Sequence, residues 1–580
     1  MPSISTIVGD RLRAAIVAAF GADHGGADPQ IGPSKNPKFG DYQANVAMGL
    51  GKRLNRNPRE VAQAIIEDLD VKDVCRSVEI AGPGFINLHL EDAFLAERLA
   101  AAGADARLGV DGADPAQTVV VDYSSPNVAK EMHVGHLRST VIGDCIARVL
   151  GFLGHRVIRQ NHLGDWGTQF GMLIQMMLDG DVDDDTREDG DLNARYKVAQ
   201  ERFESDPDFA TGAREAVVKL QGGDERVRGY WQKLVKQSKG RFEGIYARLG
   251  VLLTHEDFKG ESEYNDALPG VIEHLQDMGL LETSDGARVV YPKGFTDRDG
   301  NPQAMIVQKS DGGYLYATTD LAAAQYRIGE RGADRLVYVT GAPQRHHFAM
   351  AFQVIREAGW AGDDVRLEFV PFGTILGKDG KPFKTRAGET VRLLDLLDEA
   401  EQRAVAVIDK KNPDLSESDR HQIAHRIGIG AVKYADLCND RIKDYVFDWD
   451  RMLAFEGNTA PYLQNAYVRI RSIFRKGEVD EGRIPQQIAA FSEPAERVLA
   501  LRLVQFPTVV AAVADSLEPH RLCTYLYELA TAYHQFYEKC PVLNATSAEL
   551  RGGRLHLCDM TGRTLRTGLD LLGIEVVEKM

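Results

Sequence analysis

Thr118-Val119-Val120-Val121-Asp122, the polar turn Ser124-Ser125-Pro126-Asn127 and His133-Val134-Gly135-His136 come in that order. The last of these opens a run of Leu137, Val141, Ile142, Cys145, Ile146, Val149, Leu150 and Leu153 at helical spacing. An apolar run of this length suits a strand buried on both faces, so the stretch reads strand, loop, helix. Arg156-Val157-Ile158-Arg159 predicts a second strand; Leu336-Val337-Tyr338-Val339 and Leu367-Glu368-Phe369-Val370 predict later ones, with helical segments between. Such alternation predicts an open, mostly parallel sheet whose ligands sit at the carboxyl ends of its strands.

Upstream, Ile4, Ile7, Val8, Leu12, Ala15, Ile16, Ala19 and Phe20 repeat at three-and-four spacing, predicting an amphipathic helix. The segment from Asn36-Pro37-Lys38-Phe39-Gly40-Asp41-Tyr42-Gln43 leads into a predicted helical stretch through Leu69. Val78-Glu79-Ile80 and Phe85-Ile86-Asn87-Leu88 then predict strands about Gly82, Pro83 and Gly84. A small α/β domain over residues 1–112 is the expectation, with an Ala-, Gly- and Asp-rich linker at 101–115. The sheet domain follows over 113–400, interrupted by an insertion near 175–260, then a connecting helical region over 401–456. The last region, 457–580, is helical by pattern: Leu499, Leu503, Phe506, Val510 and Val513 mark one face, and Leu522, Tyr525, Leu526, Leu529, Tyr533, Phe536 and Tyr537 the next.

The 580 residues carry a net charge of −16, which argues against indiscriminate nucleic-acid binding, since phosphate affinity rests on Lys and Arg. The charge is unevenly placed. Residues 179–191 hold eight acidic residues and one arginine, a run that normally stays solvated, whereas 457–580 hold 14 of each sign. The six cysteines form no CxxC pair, which speaks against a thiolate metal site or a disulfide framework. No uninterrupted apolar stretch approaches bilayer length, and Asp10, Arg11 and Arg13 break up any signal-peptide core, so a cytoplasmic location without membrane contact is expected.

Four clusters carry chemistry. His133 and His136 share one face at a helix start, where unpaired N–H groups and the helix dipole favour an anion; imidazoles there can donate to charge developing on phosphate. Gly135 lets a ligand approach the backbone. Asn161-His162-Leu163-Gly164-Asp165-Trp166-Gly167 follows the second strand, and Asp165 in its tight turn could meet a ribose or an amine, or simply form an Asx turn. Tyr316 and Asp320, one helical turn apart, present a phenol and a carboxylate suited to a cation with several N–H donors. Gly377-Lys378-Asp379-Gly380-Lys381-Pro382-Phe383-Lys384-Thr385-Arg386-Ala387-Gly388 has the glycines and cations of a lid that grips phosphates, without the P-loop spacing. His421 and His425 lack a third metal ligand, and His346-His347 diverge on a helix, so neither pair suggests a metal site.

Together these residues resemble the class I aminoacyl-tRNA synthetases, and within them the arginyl-tRNA synthetase family. The resemblance rests on Ser124 through His136, GDWGTQFG from Gly164, GES from Gly260, YATTDLAA from Tyr316, GKPFKTRAG from Gly380, GNTAPYLQNAYVRI from Gly457 and the terminal LLGIEVVEKM. It implies a Rossmann-like catalytic domain between a small N-terminal α/β domain and an all-helical anticodon-binding domain. It implies activation of L-arginine by ATP with Mg2+, and transfer to the 2′-hydroxyl of the terminal adenosine of tRNA(Arg), by a monomer that holds no tightly bound metal of its own. ATP would be met by His133, Gly135, His136, Gly164, Asp165, Lys381 and Lys384, and arginine by Asn127, Glu261, Tyr316, Asp320 and Gln344. Lys381-Pro382-Phe383-Lys384-Thr385 replaces the usual KMSKS signature, so Lys384 is the first candidate for the pyrophosphate lysine and Lys130 a second. Phe85 and Asn87 would meet the tRNA D-loop; Tyr462, Tyr537 and Met580 would meet the anticodon. Two other readings compete: a small-molecule adenylyltransferase of the HxGH type, against which the aromatic helical C-terminus speaks, and an inactive paralogue serving as an RNA-binding module.

Overall fold

The computed structural model describes residues 2–34, 36–128, 130–180, 192–384, 390–488 and 490–580. At its centre five parallel strands, β1 (Thr118–Asp122), β2 (Arg156–Leu163), β3 (Phe258–Gly260), β4 (Arg335–Gly341) and β5 (Arg366–Phe372), lie in the order β5-β4-β1-β2-β3. The chain moves outward from β1 through β2 to β3, then restarts on the other side of β1 with β4. That reversal opens a crevice at the carboxyl ends of β1 and β4, where such sheets bind ligands. Val119, Val120 and Val121 are buried, as a strand covered on both faces requires.

The helix Val134–Phe152 returns the chain from β1 to β2 and is buried almost all round, because it lies between the sheet and the helices that follow residue 393. Two buried cations fasten it there. Arg138 meets Asp436 at 3.1 Å, and Lys433, on the same helix as Asp436 (Glu417–Leu437), donates to the carbonyls of Leu249 and Gly573 at 2.8 and 2.5 Å, close to Asp144. Asp144 in turn holds Arg148 at 2.8 Å.

The small N-terminal sheet is antiparallel, Ile31–Pro33, Tyr42–Ala44, Phe85–Leu90 and Cys75–Ala81 in spatial order. The helical stretch expected through Leu69 is two helices, Val46–Leu54 and Pro58–Glu67. Asn55 takes a left-handed conformation (φ 51°), and Asn57 with Pro58 starts the second helix. The single apolar face expected over Leu499 to Val513 likewise breaks into Pro494–Leu503 and Phe506–Ser516, since Pro507 has no N–H to continue a helix. This 23-residue stretch, 494–516, is apolar enough overall to cross a membrane by length and composition, although Glu496, Arg497 and Arg502 interrupt it; in the fold it is half buried.

Of the four C-terminal arginines Arg551, Arg554, Arg563 and Arg566, two are internal fasteners. Arg554 is buried against Glu496 at 2.7 Å, and Arg563 donates to the carbonyls of Gly103 and Asp105 in the N-terminal region. Arg497 makes a second bond between these regions, reaching both oxygens of Asp41 at 2.8 Å and Asp92 at 2.6 Å. The insertion is helical, with Leu192–Ser205, Pro207–Gln221 and Glu225–Leu249; most of the acidic run, 181–191, lies outside the described residues.

Beneath the crevice sits one more buried pair. Arg327 donates to Asp122 Oδ2 at 2.6 Å and to Gln160, and its guanidinium lies 5.1 Å from the Tyr338 ring. Replacing Arg327 with Met leaves Asp122 buried without its cation, and the expected cost is about 3–5 kcal/mol, read as a lower urea midpoint for the catalytic domain; an unchanged midpoint would show that the pair does not hold this sheet.

Candidate active site

At the carboxyl end of β1 the backbone turns sharply: Ser124 and Ser125 both have positive φ (74° and 45°), a strained conformation for residues with a Cβ. Side chains hold the turn in place. Ser124 N donates to Ser139 Oγ, Ser125 N to Asn161 Oδ1 and Ser125 Oγ to Asp122 Oδ1, each at 2.9 Å. Tyr246, from the insertion, bonds both Ser124 Oγ (2.7 Å) and Asn161 (2.9 Å). Asn127 is thereby set exposed against Gly164, where a Cβ would lie 2.2 Å from its Oδ1. Gly164 therefore serves to seat Asn127.

The helix start at His133 corrects one expectation. Its first backbone donors are not free: Val134 N bonds Val391 O, Gly135 N bonds His133 Nδ1 and His136 N bonds His133 O. His136 Nδ1 accepts from His133 N at 3.1 Å, completing a reciprocal cap, and the two rings lie 4.1 Å apart. A Cβ on Gly135 would meet the His133 ring at 2.8 Å, so glycine is required for this cap. Because both Nδ1 atoms accept hydrogen bonds, both rings are neutral with the proton on Nε2, which is left as the donor for a ligand. Burial, then the charge of Lys130, lowers the His133 pKa; burial, then His133, pushes His136 down to about 3. What this helix start offers a ligand is two imidazole N–H groups and the helix dipole rather than open backbone N–H groups.

Across the crevice, the helix Tyr316–Gln325 carries Tyr316 (62 % exposed) and Asp320 one turn later. His347, in the first turn of Arg345–Glu357, holds Asp320 Oδ2 at 2.6 Å and packs edge-on against Tyr316 at 4.9 Å. Gln344 is exposed just ahead of it, three residues beyond the end of β4. Glu261 follows the last residue of β3, and its pKa is raised to about 7 by burial, then by the charges of Asp320 and Asp165. Two mutually repelling carboxylates thus face a common space, lined also by a phenol. The structure brings Asn127, Glu261, Tyr316, Asp320 and Gln344 to one edge of the sheet.

Asp165 does not face that space. Its carboxylate accepts from Ser262 N at 2.9 Å and Ser262 Oγ at 2.7 Å, and its carbonyl accepts from Trp231 Nε1 at 2.8 Å. At 2 % exposure it clamps the turn that delivers Glu261 rather than meeting a ribose. Lys384 pairs with Thr390, and two residues later Arg392 pairs with His133, so the basic loop returns against the histidines; Thr385 to Gly388 lie outside the described residues. Lys381 closes the preceding turn, its carbonyl accepting from Gly377 N. The Lys130 ammonium rests over the Tyr196 ring at 4.5 Å, turned toward the insertion. Among the described residues no three His, Cys, Asp or Glu side chains gather as a metal-holding group.

Of the residues expected to meet RNA, Asn87 is buried (2 %) and bonded to Gln43, while Phe85 is half-buried two positions earlier on the same strand. Phe39, in the quoted NPKFGDYQ stretch, is the exposed aromatic of that domain. Tyr462 lies 5.0 Å from His534 and 5.6 Å from Tyr527; Tyr537 stacks under Arg469 at 5.0 Å. The sequence reading does not single out His534, Tyr527 or Arg469, although Tyr462 with Arg469, and Tyr527 with His534, stand two helical turns apart. Met580 is half-buried on the core, beside the tail that Glu578 ties to Tyr467 and Arg471 at 2.9 Å. The sequence weighs His347 only as a metal ligand and misses its bond to Asp320, because that partner stands 27 residues away on another helix.

Three family models match the chain: the arginyl tRNA synthetase N terminal domain over 6–90, the tRNA synthetases class I (R) catalytic domain over 101–449 and the DALR anticodon binding domain over 463–580. Arginine–tRNA ligases from Laribacter hongkongensis and Thermobifida fusca are 51 % and 52 % identical, each over the full length of both chains. The arginyl-tRNA synthetase structure from Plasmodium falciparum superposes with a TM-score of 0.88 at 30 % identity over both whole chains. That from Thermus thermophilus gives 0.84 at 25 % identity, covering 99 % of this chain and all of the other. The chain belongs to the arginyl-tRNA synthetase family, class I enzymes that ligate arginine to tRNA.

Proposed function

We propose that the chain ligates arginine to tRNA(Arg) in two steps at the crevice between β1 and β4. The observation that carries this reading is the pair of carboxylates, Asp320 and Glu261, converging beside Tyr316 and opposite two neutral imidazoles. A guanidinium is planar, permanently charged and rich in donors, so Asp320 Oδ1, left over after His347 takes Oδ2, and Glu261 form its receptor. Tyr316, Asn127 and Gln344 complete the arginine site. An arginine carboxylate oxygen attacks the α-phosphorus of ATP, and pyrophosphate leaves. The Nε2–H groups of His133 and His136 stabilise the charge that develops on the phosphate oxygens. Then the 2′-hydroxyl oxygen of the terminal adenosine attacks the activated carbonyl, and AMP leaves.

Lys384, carried back against the histidines by the hairpin, takes the pyrophosphate charge, with Lys381 on the same loop. Lys130 lies close enough to His133 for its charge to be felt there, and is the second source of positive charge. Mg2+ enters as the counter-ion of the ATP phosphates. Asp165 acts through Ser262 to place Glu261, and Gly164 and Gly135 act on Asn127 and His133. RNA is met at the N-terminal region by Phe85 and the exposed Phe39, and at the C-terminal region by Tyr462, Tyr537 and Met580, with Arg469 and His534 beside the tyrosines. The working limits are 1–112, 113–400, 401–456 and 457–580, in a cytoplasmic monomer.

Asp320→Asn removes the charge that faces the guanidinium; the arginine KM in aminoacylation should rise by the equivalent of about 2–5 kcal/mol, and an unchanged KM would remove Asp320 from the site. His136→Ala should lower kcat roughly 100- to 1,000-fold with a smaller change in the ATP KM; loss confined to KM would mean ground-state binding alone. Glu261 binds arginine in its ionised form, so the arginine KM should fall as pH rises through about 7. Glu261→Gln should flatten that limb, and its persistence in this variant would assign the titration elsewhere.

A further inference from the structure

From Lys378 to Lys384 the basic loop exposes every side chain but one, that of Phe383. Three like charges, Lys378, Lys381 and Lys384, crowd into this short span and repel one another, and its turn passes through Gly380 at φ 73°. The direction of the limb therefore depends on its backbone partners and on what holds Phe383.

The Phe383 ring lies on that of Phe447, with centroids 4.7 Å apart and planes inclined by 26°. Phe447 is 3 % exposed, and Trp449 meets it edge-on at 4.8 Å; the Arg403 guanidinium lies 5.2 Å from the Trp449 ring. An aromatic column thus runs from the exposed loop into the core. Backbone bonds bring its members together: Ile375–Leu376 pairs in parallel with Tyr445–Val446, Phe447 N donates to Leu376 O at 2.8 Å, and Phe383 N turns back to Ile375 O at 2.9 Å. Lys378 adds a tie to Asp448 at 3.1 Å, and the same carboxylate caps the short helix Trp449–Met452.

The base of the column is fixed to the helix that carries the histidines. Arg138, two residues beyond His136, donates to Lys443 O at 3.1 Å and lies 5.2 Å from the Tyr445 ring, which places the strand ahead of Phe447 in register with the histidine cap. Successive side chains of an extended segment point to opposite faces. With Phe383 packed inward, its neighbour Lys384 is turned outward.

We propose that Phe447 is a positioning residue for pyrophosphate departure: by stacking on Phe383 it sets the side of the loop from which Lys384 reaches the phosphates beside His133 and His136. The proposal rests on the reading that Lys384 takes the pyrophosphate charge. The test measures arginine-dependent exchange of pyrophosphate into ATP by the full-length chain, with tRNA(Arg) present. F383L and F447L keep apolar volume but offer no ring face; each should lower kcat of exchange roughly tenfold and raise the pyrophosphate KM, with the arginine KM unchanged. Because both break one stack, F383L/F447L should be little worse than either single variant. F383Y, which keeps the ring, should restore exchange.

Unchanged exchange in F383L, a change at a half-buried loop position that leaves the core intact, would overturn the proposal whatever F447L does to folding. So would fully additive losses in the double variant, a loss in F383Y equal to that in F383L, or an arginine KM that rises together with the pyrophosphate KM, which would mean general distortion of the crevice. K384A reports on the underlying reading: it should lose exchange at least as severely as F383L, and wild-type exchange in K384A would overturn the assignment of pyrophosphate to Lys384 and the proposal with it.

Discussion

The active site hangs on a buried charge. Asp122 ends the central strand, and its two oxygens are divided between Ser125 Oγ on the turn above and Arg327 beside it. Arg327 also bonds Gln160 on β2 and lies against Tyr338 on β4, so one guanidinium ties three adjacent strands. Arg327 belongs to the π-helical turn Tyr326–Glu330, which continues directly from the helix that carries Tyr316 and Asp320. The same pair therefore sets the height of the Ser124–Asn127 turn and the position of Tyr316 and Asp320. Burying such a pair gains little net stability over an apolar filling, because desolvation offsets attraction. What it supplies is registry: the two walls of the crevice are fixed to a common anchor.

That anchoring explains how two oppositely demanding chemistries sit side by side. Burial, then the charges of Asp320 and Asp165, raises Glu261 to about 7 on one wall, while the other wall holds two histidines neutral. Neutrality there follows from burial and from the reciprocal cap, which turns both Nδ1 atoms inward. Charged imidazoles would attract the acidic wall across the crevice; neutral ones with a single outward Nε2–H act only on charge that develops between them. His347 plays a matching part on the other wall, holding one Asp320 oxygen so that the other is presented.

Much of this is legible in local sequence. The strand, turn and helix around His133 follow from the Val119–Val121 run and the spacing of Leu137 to Leu153, and Tyr316 with Asp320 follows from a single helical turn. What local pattern does not carry is the direction in which a side chain is used. Asp165 has the composition of a ligand-facing turn, yet Ser262, nearly a hundred residues on, takes its carboxylate. The N–H groups at His133 look free until Val391 arrives from beyond the basic loop. Asn87 and Arg554 are polar in sequence and buried in the fold, each with a partner on another element. The three-residue strand β3 is too short to produce a pattern of its own, although it delivers Glu261. By contrast, the Asp285-Gly286 turn (φ 51° and 77°) joining Leu281–Ser284 to Ala287–Val290 is a hairpin signal readable from two residues alone, and an antiparallel pair inside a parallel-sheet domain is the element that a pattern of alternating strands and helices hides.

The net charge of −16 takes on a different meaning once cations are sorted by partner. Many arginines of the C-terminal region are internal fasteners: Arg497 and Arg563 join it to the N-terminal region, and Arg554 braces its own core. Lys433 lies deeper still, with burial lowering its pKa to about 8 against the opposing pull of Asp144, and its ammonium joins the carbonyls of Leu249 and Gly573. Leu249 ends the basic helix, Gly573 begins the C-terminal tail that Glu578 ties down, and Asp144 lies on the helix that His133 caps. A shift of the C-terminal helices on binding RNA would act on all three through one ammonium group. The chain's cations thus separate into those that hold its parts in register and those left exposed to solvent.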